Sequence, residues 1–209
     1  MYNSKPHQEN DLGRLHQHML DTRLAVLVSH GDQGLLATHL PVLVDTTEGE
    51  FGTVYAHLAR ANRQWQDLAQ GVEALLVFPG ADAYVSPGYY PSKADNPKVV
   101  PTWNYLAVHA YGTAEVIHDA EPLLAMVSRL TDRHEQGRSE PWKVTDAPAD
   151  YLDGMLRAIV GIRLPVARLQ GARKLSQNRS DQDIAGVREG LSASADQLDN
   201  QLAAHMRQL

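Results

Sequence analysis

RLAVLVSHGDQGLLATHLPVLVDTTEGEFGTVYAHL, residues 23–58, decides the fold class of this chain. Three apolar, β-branched-rich runs lie within it, at 23–30, 34–45 and 51–58, and Gly31, Gly34 and Gly49 punctuate the stretches between them. Runs of that length with glycine between them form strands joined by tight turns. Strands linked by such short turns pair antiparallel, so the stretch predicts a hairpin-built sheet and not a strand–helix–strand repeat.

Upstream, Asp11 stands where it can cap a short helix that carries Leu12, Leu15 and Met19 on one face. Downstream, ANRQWQDLAQG (61–71) has helical spacing and closes on Gly71. EALLVFPG and DAYVSPGYY then predict another hairpin, turning near Pro79-Gly80. Pro87, Pro91, Pro97 and Pro101 make 87–101 a loop, because proline breaks helices and central strands. A long strand follows from about Tyr105 to His118, then helices over 120–136 and 149–157, then a strand over 159–175 in which Pro165 marks an edge or a bulge. The tail from Asp181 to Leu209 reads as two helices, with Ile184, Val187, Leu191 and then Leu198, Leu202, Met206 at helical spacing. The expectation is a mainly β (α+β) chain: one β-barrel domain over 1–209 with appended helices, residues 180–209 forming a helical C-terminal extension.

Composition narrows the function. Without cysteine the chain has no disulfide, no thiolate nucleophile and no cysteine-ligated metal or iron–sulfur cluster. A formal charge of −6 argues against a surface built throughout for nucleic acid or anionic membrane. Polar residues interrupt every apolar stretch before it reaches membrane-spanning length, and the N-terminus lacks a signal-peptide core, so the expectation is a cytoplasmic protein with no membrane contact. No P-loop, GxGxxG, HExxH or GxSxG occurs. His16 and His18, two apart on a helix, face different ways, and no histidine spacing recommends a metal site. The C-terminal helices carry five acids against Arg188 and Arg207, a balance that phosphate backbones repel, so they read as packing helices and not as a DNA-reading pair.

Three segments are chemically loaded. AHLARAN (56–62) places Arg60 where a strand hands over to a helix, a natural phosphate cradle, with Asn62 as the competing helix cap. VPTWNYLAVHAYG (100–112) sets Trp103, Asn104 and Tyr105 side by side, suited to stacking on and hydrogen bonding a flat heterocycle, or equally to forming a barrel lid. From Arg163 to Arg179 the chain has five basic residues and no acid, ending in Lys174, Ser176, Gln177, Asn178 and Arg179. These are donors for a phosphate and a polar ring edge; as a continuing strand they would put Lys174, Ser176 and Asn178 on one face. A solvated edge that deters strand aggregation is the competing reading.

ATHLPVLVD (37–45), AHLARAN, AYVSPGYYPSK (83–93), VPTWNYLAVHAYG, MLRAIVGIRLPV (155–166) and KLSQNR (174–179), in this order, resemble the PaiB-type family of FMN-binding split-barrel proteins, whose members are labelled negative transcriptional regulators. Family members often carry Trp where Gly88-Tyr89 now stands. The resemblance implies a homodimer with FMN in a cleft between two barrels, as in the pyridoxamine-phosphate oxidase group. It implies that Thr38, His39 and Leu40 line the ring and that Arg60, with His57 and Asn62 beside it, holds the phosphate. Lys174, Gln177 and Asn178 would donate to phosphate or ring atoms, while Trp103, Asn104 and Tyr105 would close the site, some from the partner chain. As a regulator the protein would act on a protein or DNA partner. The alternative is an FMN-dependent oxidoreductase of the pyridoxamine-phosphate-oxidase-like group, with Tyr105 or His39 as proton donor. Haem handling rests on fold analogy alone.

Overall fold

The computed structural model describes residues 1–32 and 34–207. Positions 208 and 209 of the expected tail lie outside the described residues. The fold class is the expected one, mainly β within an α+β arrangement: the described residues form ten strands in two antiparallel sheets, with six α-helices appended. The strands are β1 (Gln8–Glu9), β2 (Ala25–Gly31), β3 (Gly34–Leu40), β4 (Leu43–Asp45), β5 (Thr53–Ala59), β6 (Glu73–Val85), β7 (Thr102–Thr113), β8 (Glu115–Ile117), β9 (Ile159–Pro165) and β10 (Arg168–Lys174). The helices are α1 (Leu12–Asp21), α2 (Gln64–Ala69), α3 (Ala120–Glu135), α4 (Ala149–Arg157), α5 (Asp181–Ser192) and α6 (Gln197–Met206).

The chain forms two compact units, one of residues 1–15, 79–108 and 170–209, the other of 16–78 and 109–169. In the second unit β2 and β3 make the expected hairpin, from Ala25↔Leu40 to Gly31↔Gly34 in register, with Gly34 in the left-handed region at φ 86°. β2 pairs on its other side with the first half of β6. A four-stranded sheet in the order β4-β5-β9-β8 completes this unit, and α3 and α4 bury Leu123, Met126 and Leu156 together with Leu43 of β4. At Gly161 of β9 an added Cβ would stand 2.8 Å from the end of the Leu123 side chain and 3.1 Å from Ile117 Cβ, so a larger residue would have to shift this packing.

In the first unit the strand order is β1-β10-β7-β6. Its core joins Val85, Leu106 and Leu175 to Val187 and Leu191 of α5 and Leu202 and Met206 of α6, the residues whose helical spacing marked the tail. Leu198, in the same series, is about half exposed. Asp11 caps α1 as expected, accepting from the Arg14 amide at 2.8 Å. Asp183 of α5 is buried and accepts from the Ser92 amide (3.1 Å) and hydroxyl (2.8 Å), fastening the Pro-rich segment.

Four expectations are corrected. Pro79-Gly80 makes no hairpin: β6 runs unbroken from Glu73 to Val85, Pro79 is exposed within it, and Gly80 is not among the glycines of positive φ. The strand expected to His118 stops at Thr113 and restarts as β8, which pairs with β9. The strand expected over 159–175 is two strands, because the chain leaves β9 at Pro165 and turns through Val166 and Ala167. Finally, β10 ends at Lys174, so strand alternation does not govern Ser176 and Asn178: Ser176 adopts φ 66°, a left-handed conformation rare for a side-chain-bearing residue.

Candidate functional site

The second unit gathers a polar cluster where β3 meets α2. Gln64, the first residue of α2, is fully buried. Its Nε2 donates toward Ser29 Oγ (3.1 Å), Leu27 O (3.2 Å) and Leu36 O (3.3 Å), and its Oε1 accepts from Thr38 Oγ1 at 2.6 Å. Asn62 Nδ2 donates to the same Thr38 hydroxyl (2.9 Å), while its Oδ1 receives the Gln64 amide (3.0 Å), the capping role foreseen for it. Thr38 is therefore fixed from two directions. Leu40 is buried in the core and His39, on the opposite face of β3, is exposed.

Arg60 departs from the expected arrangement. The helix begins only at Gln64, and Arg60 turns its guanidinium elsewhere: Nε donates to Arg157 O (2.7 Å) and Nη2 to Ile159 O (2.9 Å). His57 is part-buried on β5 opposite Gly161, with its Nδ1 enclosed and unpartnered, and burial pushes its pKa below the ordinary histidine value. A histidine held neutral this way binds fewer protons folded than unfolded, so stability falls as pH drops through the unfolded value of about 6.5 toward the lowered folded one. The fall in Tm between pH 7.5 and 5.5 is expected to shrink in His57→Gln, measured by thermal melts at both pH values.

The first unit gathers the second half of the expected set. Asn104 of β7 is fully buried and exchanges hydrogen bonds with Ser176, Nδ2 to Oγ at 2.9 Å and Oγ to Oδ1 at 3.3 Å. That pair holds the left-handed turn after β10. Gln177 secures the same turn, accepting from the Leu175 amide (2.7 Å), donating to Arg173 O and meeting the His7 ring at 3.2 Å. Lys174 Nζ donates to Thr102 Oγ1 at 2.7 Å, and burial pushes its pKa down. Trp103 and Tyr84, both about half exposed, meet edge to face at 6.0 Å. Tyr105 is part-exposed and Asn178 exposed. Arg179 lies over the buried Tyr90 ring at 4.8 Å. The roles of Gln64, Ser29 and Thr102 carried no sequence signal, since a buried glutamine reads like a solvated one.

This donor set fits FMN. Among the described residues no carboxylate pairs with Lys174, whose ammonium, part-withdrawn from water, has one neutral hydroxyl partner and N–H groups to spare for an anion. Exposed Trp103 and Tyr84 offer flat apolar surface of the kind a ring system covers. Among the described residues no group of three or more His, Asp or Glu stands close enough to hold a metal ion, and no helix is long and apolar enough to cross a membrane.

The sequence profile of the family described as "Putative FMN-binding domain" matches residues 1–168. An uncharacterized protein of Aspergillus fumigatus is 32% identical over 235 residues, covering 91% of this chain and 90% of that protein. The protease synthase and sporulation protein PAI 2 of Bacillus subtilis is 34% identical over 156 residues, covering 75% of this chain and 72% of its own length. Among solved structures, the FAD and heme binding protein of Mycobacterium smegmatis superposes with a TM-score of 0.59 at 19% identity, over 85% of this chain and 78% of that one, a likeness of fold. With the profile, the PAI 2 relationship and the motif order in agreement, the chain belongs to the PaiB-type family of FMN-binding split-barrel proteins, and FMN is its cofactor.

Proposed function

We propose that this chain is a cytoplasmic regulatory flavoprotein, a homodimer that seats FMN between subunits and passes the state of the flavin to a partner. The observation that carries the flavin seat is Lys174, a part-buried ammonium paired with a neutral hydroxyl and with no carboxylate among the described residues. Such a group is stabilised by an anion, and FMN brings a phosphate dianion and a ring edge that becomes negative on reduction. Asn178, four residues on, is exposed and offers a further donor, and Gln177 and Asn104 keep the turn in shape. Trp103 and Tyr105 face the ring in this reading. Bound FMN supplies hydride and single-electron chemistry; the residues named here bind, orient and shield it. The regulatory role is supported by similarity to PAI 2, whose name couples it to protease synthesis and sporulation. The acidic C-terminal helices favour a protein partner over direct contact with DNA.

Titration of the protein with FMN, followed by flavin fluorescence, is expected to saturate near one FMN per chain. Lys174→Ala weakens it by roughly tenfold or more, the loss of one charge-assisted hydrogen bond, while Lys174→Arg retains most of it. Equal binding in Lys174→Ala removes the proposed seat. Steady consumption of NADH or NADPH with an added acceptor moves the function to an FMN-dependent oxidoreductase.

A further inference from the structure

Gln177 clamps Lys174 from both sides. Its Nε2 donates to Arg173 O, and its Oε1 accepts from the Leu175 amide at 2.7 Å. Those two groups belong to the peptide bonds that flank Lys174, so one carboxamide fixes the backbone on either side of the residue that carries the ammonium. Because one is an acceptor and the other a donor, the carboxamide cannot flip without losing both bonds.

A third group meets this clamp from the far end of the chain. His7 Nδ1 lies 3.2 Å from Gln177 Oε1, at a separation of 170 positions. An amide oxygen only accepts, so Nδ1 carries the hydrogen in that contact. The ring is placed by its own segment, an arm of residues 3–9 laid along β10. Asn3 Nδ2 donates to Gly171 O at 2.6 Å, Gln8 and Glu9 pair with Ala172 and Gly171, and the Glu9 carboxylate stands 3.5 Å from Arg173 Nε. His7 closes a short turn, its amide donating to Ser4 O at 2.9 Å, and Pro6 within that turn has a fixed φ. Close approach is built into β10 as well: a Cβ at Gly171 would stand 3.2 Å from Glu9 O and 2.1 Å from the Leu15 side chain. The arm thus covers the edge of β10 and also delivers one imidazole to the clamp. Covering the edge does not call for a histidine at position 7, whose ring has Gln177 as its one hydrogen-bond partner among the described residues.

We propose that His7 is a positioning residue of the flavin seat: its Nδ1–H steadies the Gln177 carboxamide, which holds Lys174 where its ammonium can meet an anion. The role rests on the reading of Lys174 as that seat, and it makes the arm of residues 3–9 part of the site.

The test is titration of the full chain with FMN, followed by flavin fluorescence, in wild type, Lys174→Ala, His7→Ala and His7→Asn. Amide exchange of the flavin-free proteins is measured alongside. His7→Ala is expected to weaken FMN roughly three- to tenfold, the worth of one neutral hydrogen bond acting through the clamp. His7→Asn, whose Nδ2 reaches where the imidazole Nδ1 does, is expected to recover most of that loss. Without flavin, exchange of the Leu175 amide is expected to quicken in His7→Ala and not in His7→Asn, because that N–H is the one Gln177 holds. Wild-type FMN affinity in His7→Ala, beside a weakened Lys174→Ala, overturns the proposal, and so does His7→Asn binding as weakly as His7→Ala. Wild-type affinity in Lys174→Ala removes the flavin seat instead. The exchange of Leu175 then decides alone, and a rate unchanged in His7→Ala overturns the hold of His7 on Lys174.

Discussion

Gln64→Ala is expected to lower stability by roughly 3 kcal/mol or more, the sum of stranded buried polar groups and the cavity left by a fully buried side chain. The substitution leaves Ser29 Oγ, Leu27 O and Leu36 O without the Nε2 donor they share, and Thr38 Oγ1 without its acceptor. Ser29 and Leu27 are buried, so the groups stranded there lie away from water, whereas Thr38 keeps the Asn62 donor. For a chain of this length that loss corresponds to a fall in Tm of roughly 6–12 °C, read by a thermal melt. Gln64→Glu separates charge from volume: it keeps the cavity filled but replaces the donor with an acceptor, so it is expected to be about as damaging at neutral pH. A Tm within 2 °C of wild type in both variants, measured against that roughly 6–12 °C expectation, would sink the claim that Gln64 is the hub.

Gln64 also marks where sequence reading stops. Segment 61–71 was legible as a helix, yet nothing in QWQDLAQ separates a buried hub from the solvated glutamines beside it; burial is decided by the β2–β3 hairpin that covers it. That hairpin was legible, because Ala25, Leu27 and Ser29 alternate inward along β2 and Gly34 turns the chain. Pro79-Gly80 was misread for the opposite reason. The pair carries a local turn signal, but β6 pairs with β2 through residues 75–77 and has β7 as its other neighbour, and that pairing outweighs a local preference. KLSQNR was legible as a dense run of donors; in the structure Lys174 donates to Thr102 and Asn178 is exposed. The left-handed turn at Ser176 was not, because a position of that φ normally announces itself with glycine, whereas here buried Asn104 holds it. Asn104 lies 72 positions away in the chain, beyond the reach of any local rule.

Gly186→Ala and Gly154→Ala are the same substitution in two helix interiors, and they are expected to act with opposite sign. Alanine in place of glycine within a helix ordinarily stabilises by roughly 0.5–1 kcal/mol, because the unfolded glycine has more freedom to lose. Gly154 of α4 meets that expectation: the nearest atom to an added Cβ is a terminal guanidinium nitrogen of Arg157 at 4.0 Å, ordinary contact with a side chain that can move. At Gly186 of α5 the same Cβ would stand 2.2 Å from the carbonyl oxygen of Tyr89 and 2.8 Å from the Pro91 ring. Neither can step aside cheaply, since Asp183, one turn earlier, binds both the amide and the hydroxyl of Ser92 and ties that segment to α5. Gly190, one turn later, lies so close to the Tyr89 ring that an added Cβ would stand 2.3 Å from it, so two successive glycines make the groove in which the segment lies. Gly186→Ala must therefore push residues 89–92 off α5 or bend the helix, an overpacking cost of roughly 2 kcal/mol net of the entropic gain, or about 4–8 °C in Tm. Amide exchange within 87–94 should rise with it, because the fastening of that segment is what the methyl disrupts. Parallel melts of the two variants settle the matter: a stabilised Gly154→Ala beside a destabilised Gly186→Ala is the expected pair. Stabilisation of both would mean that α5 does not press on Tyr89 as described.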